Sequence, residues 1–181
     1  MQRRDHIRLM ADYNQWMNSR LLEAAALLDA AALSADRGAF FGSILGTLNH
    51  LLVADILWLK RFATHPTGFM ALAPVQQMPD PSALDQILCP TLDEVRALRN
   101  TLDATILDWS KTLTESDLDV ALAYRSTKGV PATRNFFALL THFFNHQTHH
   151  RGQITTLLSQ TGVDMGVTDL LWRIPDLDEA P

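Results

Sequence analysis

The sequence predicts an all-α fold: a four-helix bundle with a long crossover between helices two and three and a short β-hairpin before the last long helix. Three observations carry this expectation. Four long stretches place apolar residues at helical spacing. The segment 65–90 holds five of the eight prolines, so no long helix crosses it. Around Lys128-Gly129, short alternating runs read as two strands and a turn. The 181 residues, 1–181, are expected to form a single domain with a substantial core.

Helix one is expected at Asp5–Ala32, where Met10, Tyr13, Met17, Leu21, Ala24 and Leu28 keep helical spacing with no Gly or Pro between them. Helix two is expected at Phe40–Thr64, apolar nearly all round, as a central helix of a bundle would be. Within the proline-rich crossover, Ser82–Leu88 reads as a short helix capped by Ser82, with Asp85 three residues on. Thr91-Leu92-Asp93-Glu94 reads as a capping box. It opens helix three, with Val95, Leu98, Leu102, Ile106, Trp109 and Leu113 inward. Leu118, Val120, Leu122 and Tyr124 alternate as in a strand, and Val130–Thr133 would return. Helix four runs from about Asn135 to Gln160, and Gly162 is placed to stop it. Thr168–Arg173 reads as one more helical turn, capped by Thr168, before an acidic tail.

Composition narrows the function classes. A chain that is 47% hydrophobic and 19% charged reads as a soluble globular protein. Its net charge is −5 and it has no basic run, which argues against direct binding to a nucleic-acid backbone. Cys89 is the single cysteine, so an internal disulfide and a multi-thiolate zinc site are both excluded. A cytoplasmic location is expected on this ground, and because no apolar segment follows the basic start as in a signal peptide. The apolar run Gly42–Leu59 contains Asn49, His50 and Asp55, so it reads as a buried helix and not a membrane span.

The chemistry concentrates in Thr141–Gln153, which holds four of the seven histidines. Leu139, Phe143, His146, His150, Gln153 and Leu157 form a helical seam, so His146 and His150 stand one turn apart where apolar residues are expected. Buried imidazoles need partners. A divalent metal is one; hydrogen bonds among core histidines are the other. His142 and His149 fall to one side and read as flanking residues, His142 the closer to the site. A third ligand must come from another helix, and His50 is the candidate, the one histidine inside an otherwise apolar helix. Asp55 lies about 140° around that helix from His50 and reads as a salt-bridge or cap partner. His6 and His65 lie at element ends and are expected to be solvated. Three neutral histidines without a carboxylate would leave positions open for water or substrate, the pattern of a catalytic site.

Three segments together resemble the DinB-type proteins of the DNA-damage-inducible DinB and YfiT-like superfamily: Tyr13–Leu21, Phe40–Asp55 and Asn145–Gln153. The resemblance covers nearly the whole chain. It implies a four-helix bundle, often a homodimer, with a divalent metal at His50, His146 and His150. Characterised relatives include bacillithiol transferases and a mycothiol-dependent maleylpyruvate isomerase. It therefore implies a small-molecule substrate and a low-molecular-weight thiol. Zinc or nickel is the expected ion, and iron and copper also suit three imidazoles. The alternatives are a metal-dependent hydrolase, a non-catalytic metal or small-ligand binding protein of the stress response, and a structural bundle whose histidines bond one another. Trp16, Trp58 and Leu51 lie beyond a single seam and suggest an isologous homodimer.

Overall fold

The computed structural model describes residues 1–176, so the end of the acidic tail, 177–181, lies outside the described residues. The chain is mostly helical, with one small antiparallel sheet. Four long helices dominate: α1 (Arg3–Ala25), α3 (Ile44–Phe62), α5 (Leu92–Thr112) and α6 (Phe136–Ser159), with α2 (Ala30–Ser34) and α4 (Ala73–Gln76) as short pieces. Both α1 and α3 pack against α5 and α6. Among the described residues no helix is long and apolar enough to cross a membrane.

Local chemistry sets the boundaries. The first predicted helix is divided, because the Asp29 side chain accepts the Ala32 N–H at 2.7 Å and starts α2 as a separate helix. That cap needs no glycine or proline, which is why spacing alone ran through it. The start of α3 is later than expected for a similar reason. Ser43 caps it, Oγ accepting from Gly46 N at 2.9 Å, and Gly42 before it has φ +71°. The Thr91–Glu94 capping box is present at the start of α5. Asn135 caps α6 by accepting from Ala138 N, and Gly162 follows the helix at φ +82°.

The crossover corrects the expectation of a helix at Ser82–Leu88, which instead forms turns; Gln86 Oε1 accepts from Ser82 N and Oγ. The helical turns fall earlier, at Met70–Gln76, where Leu72 and Val75 are fully buried. Leu118 lies in a 3₁₀ turn, Asp117–Asp119, and the strands are β1 (Ala121–Arg125) and β2 (Pro131–Asn135), with Gly129 at φ +77° in the turn between them. The last turn is 3₁₀ at Leu170–Arg173. Thr168 does not cap it; its carbonyl accepts from the Tyr13 hydroxyl at 2.7 Å.

One end of the core is aromatic. Phe62 packs on Trp109, Phe136 and Phe143, with ring centroids 5.4–5.7 Å apart. Truncating it would cost about 3–5 kcal/mol. His65 was expected in solvent and is buried instead. Its ring stacks on Phe69 at 4.9 Å, its Nδ1 accepts from Thr67 N and its Nε2 donates to Asp117 O, so both ring nitrogens are satisfied inside. His6 is half-buried in the first turn of α1.

Candidate metal centre

Three imidazoles from two helices meet edge to edge. His50 Nε2 lies 3.2 Å from His146 Nε2 and 3.2 Å from His150 Nε2, and the latter two are 3.1 Å apart. Nitrogens held about 2.0–2.1 Å from one ion in a tetrahedral site stand about 3.3 Å apart, so this triangle has the size of a ligand set. The triad is the group of ligand-type side chains that could hold an ion among the described residues, and it contains no carboxylate.

The far side of two of the rings fixes their tautomers. His50 Nδ1 lies 2.9 Å from the carbonyl oxygen of Leu84, which can only accept, so Nδ1 carries the proton and Nε2 presents a lone pair. His150 Nδ1 likewise donates to Gln153 Oε1 at 2.8 Å. The amide of Gln153 is turned by His149, whose Nε2 accepts from Gln153 Nε2 at 3.3 Å. At most His146 can supply an inward N–H, and one proton cannot satisfy three converging nitrogens. Hydrogen bonding among the histidines alone therefore leaves lone pairs facing one another, whereas a cation would satisfy all three.

Electrostatics points the same way. Burial is the first cause that lowers the His146 pKa, to about 3, followed by the neighbouring imidazoles. Burial also lowers His50 and His150, opposed by the Leu84 carbonyl and by Gln153 respectively. The rings are thus neutral near pH 7, the form that binds a metal. Phe41 stacks on His50 with centroids 3.8 Å apart and planes at 16°. Its backbone sits so close to α3 that a Cβ on Gly46 would collide with the Phe41 carbonyl oxygen.

The seam reading needs correction. The polar residues buried deepest on α6 are Gln147 and Arg151, while His146 is half-buried and Gln153 partly exposed. The histidine row runs along the flank of the buried face, so the centre opens towards one side. Of the two flanking histidines, His149 is tied to the triad through Gln153. His142 instead packs its ring on Trp58 at 5.1 Å, and its centroid is 6.0 Å from that of His146.

The DinB family matches this chain over residues 1–176. The chain belongs to the DinB family. Protein DinB of Bacillus subtilis (strain 168) is 25% identical over 158 residues, covering 87% of each chain. A DinB-family chain with a three-histidine cluster of this size fits a metal-binding protein.

A second polar cluster beside the centre escaped sequence reasoning. Asp55 points away from His50 and accepts from Arg99 Nη1 at 2.5 Å and from Gln147 Nε2. Arg99 Nη2 lies 3.0 Å from Asp103, which accepts from Asn14 and Asn18; Arg151 donates to the oxygens of those two amides. All seven residues are buried. The salt-bridge reading of Asp55 was right, but its partners were not foreseen. A signal existed: Asn14/Asn18, Arg99/Asp103 and Gln147/Arg151 are three polar pairs at i, i+4.

Proposed function

We propose that this DinB-family chain is a metal-dependent enzyme that presents a small thiol to an electrophilic substrate at a centre formed by His50, His146 and His150, carried on a four-helix bundle. The observation that carries this reading is the convergence of three Nε2 atoms, two of them held as lone pairs by Leu84 O and Gln153 Oε1. A divalent ion held by these three neutral imidazoles would supply Lewis acidity, which favours the thiolate form of a small thiol. Zinc or nickel suits this set first, and iron or copper also matches imidazole donors.

The chain's own residues hold and shield. Leu84 and Gln153 orient the rings, and Phe41 covers one face of His50 against water. Among the described residues no carboxylate joins the triad, and Asp55 is committed to Arg99 and Gln147. Thiol transfer asks less of a protein general base than hydrolysis does, so it ranks first. The same reading includes a homodimer. Trp16 and Trp58 remain half-buried for a partner, whereas Leu51 lies in this chain's own core and offers it nothing.

The test loads purified protein with zinc or nickel and supplies cysteine, glutathione or N-acetylcysteine with chlorodinitrobenzene. Metal-dependent transfer that disappears in His146→Ala is the expected result. Ester hydrolysis without any thiol would move the assignment to a hydrolase. Bound metal without turnover in either assay would leave a metal carrier or sensor.

A further inference from the structure

The two halves of α3 differ. Ile44 to Ile56 are all buried, but Leu57, Trp58, Lys60 and Arg61 reach towards the surface. Leu57, Lys60 and Arg61 form one wall of a cleft of about 610 Å³. Residues 80–84 of the crossover and 123–127 of the hairpin close the other sides. This is the size of a small-molecule site.

Its charge runs against that of the chain. Lys60, Arg61 and Arg125 face one carboxylate, Asp80, in a protein of net charge −5. Asp80 is taken by Lys60, which also donates to the Met78 carbonyl. Arg125 donates to Gly129 O at 2.8 Å. Arg61 is held differently. Its guanidinium carbon lies 4.6 Å from the Trp58 ring centroid and 5.3 Å from that of Tyr124, and among the described residues no oxygen accepts from it. A guanidinium resting on aromatic faces keeps its N–H edge free, in the fork geometry that matches a carboxylate.

One residue joins the cleft to the candidate metal centre. Leu84, in its wall, supplies the carbonyl that accepts from His50. Tyr124 is shared with a neighbouring cleft of about 400 Å³ lined by Trp58, Arg134 and His142. The His142 ring centroid is 6.0 Å from that of His146. Arg134 also has no carboxylate partner among the described residues.

We propose that the Arg61 cleft binds the carboxylate of a small organic acid, and that organic acids are the substrate class of the three-histidine centre. The first clause stands on the cleft alone; the second rests on the metal-enzyme reading. The carboxylate lies against Arg61, and the acid's body lies against Leu57 and Tyr124, which line the same cleft.

The test uses benzoate and its uncharged amide, benzamide, titrated into metal-free protein while the Arg61 Nε–H resonance is followed. Benzoate should bind saturably and shift that resonance, and benzamide should bind at least about tenfold more weakly. Arg61→Gln should weaken benzoate about tenfold at an unchanged melting temperature. Arg61→Lys should fall between, keeping the charge but not the fork. Equal affinity for benzoate and benzamide, or unchanged benzoate binding in Arg61→Gln, overturns the proposal. A zinc titration of the wild type separates the two readings. Benzoate binding without zinc binding would sink the metal centre and leave the cleft standing, and zinc binding without benzoate binding would do the reverse.

Discussion

His50 and Asp55 stand five residues apart on the same helix, and both face polar groups of α6, yet their surroundings are opposite in kind. Asp55 enters a network in which two carboxylates, Asp55 and Asp103, are matched by two guanidiniums, Arg99 and Arg151, with Asn14, Asn18 and Gln147 between them. His50 enters a triangle of nitrogens with lone pairs inward and too few protons to bridge them. A buried cluster whose charges cancel can only be broken. One that lacks a positive partner could take up a cation. The first therefore holds α1, α3, α5 and α6 in register, and the second could hold a metal ion.

The largest effect should come from opening the matched cluster. Arg99→Ala leaves Asp55 and Asp103 buried without their cation and should cost about 3–5 kcal/mol of stability in urea unfolding. A loss below about 1 kcal/mol would show that the network is solvated and the contrast false.

His146→Ala should do the reverse. Stability of the metal-free protein should change by about 1 kcal/mol or less, while bound metal, read by elemental analysis, falls to background. If the metal-free variant unfolds as readily as Arg99→Ala, the triad is part of the fold's lock.

Gln153→Ala probes the support of the triad. It frees the His150 ring and should weaken metal binding about 10- to 100-fold by calorimetric titration without removing it. Unchanged affinity would mean that packing alone orients the ring.

A smaller, pH-dependent signature belongs to Asp55. Burial, only partly offset by Arg99, raises its pKa from 3.8 to about 6. The folded state thus holds this proton more tightly than the unfolded chain does. The associated stability is fully present below pH 3.8 and is lost as pH rises through about 6. Asp103, facing the same guanidiniums, is shifted upward as well. Asp55→Asn should remove part of this downward slope, seen as the difference in urea midpoints between wild type and variant from pH 4 to 7. Parallel profiles would remove Asp55 as its source.

The smallest effect is expected at Cys89. Cys89 is 7% exposed as a residue and burial raises its thiol pKa, while the Asn49 amide clamps its backbone N–H and carbonyl at 2.8 and 2.9 Å. Cys89→Ser should leave metal content and any turnover nearly intact. Loss of turnover at full metal occupancy would transfer the chemistry to a protein thiol.

Some of this was legible in one dimension because its cause is local. The four long helices follow from apolar spacing, the start of α5 from the Thr91–Glu94 box, and the end of α6 from a glycine that tolerates positive φ. His50, His146 and His150 could be singled out because an imidazole in an apolar seam is costly unless something compensates it. The break at Asp29 and the turns at Ser82–Leu88 were missed because one side-chain acceptor sits at each, and helical spacing does not register it. Packing between helices decided the rest. Whether three imidazoles turn their Nε2 atoms together depends on a carbonyl 34 residues from His50, and whether Asp55 joins them depends on an arginine 44 residues away. Those distances close only when the crossover and α5 lie against α3, so the identity of the polar residues was readable in the chain while their partners were set by the fold.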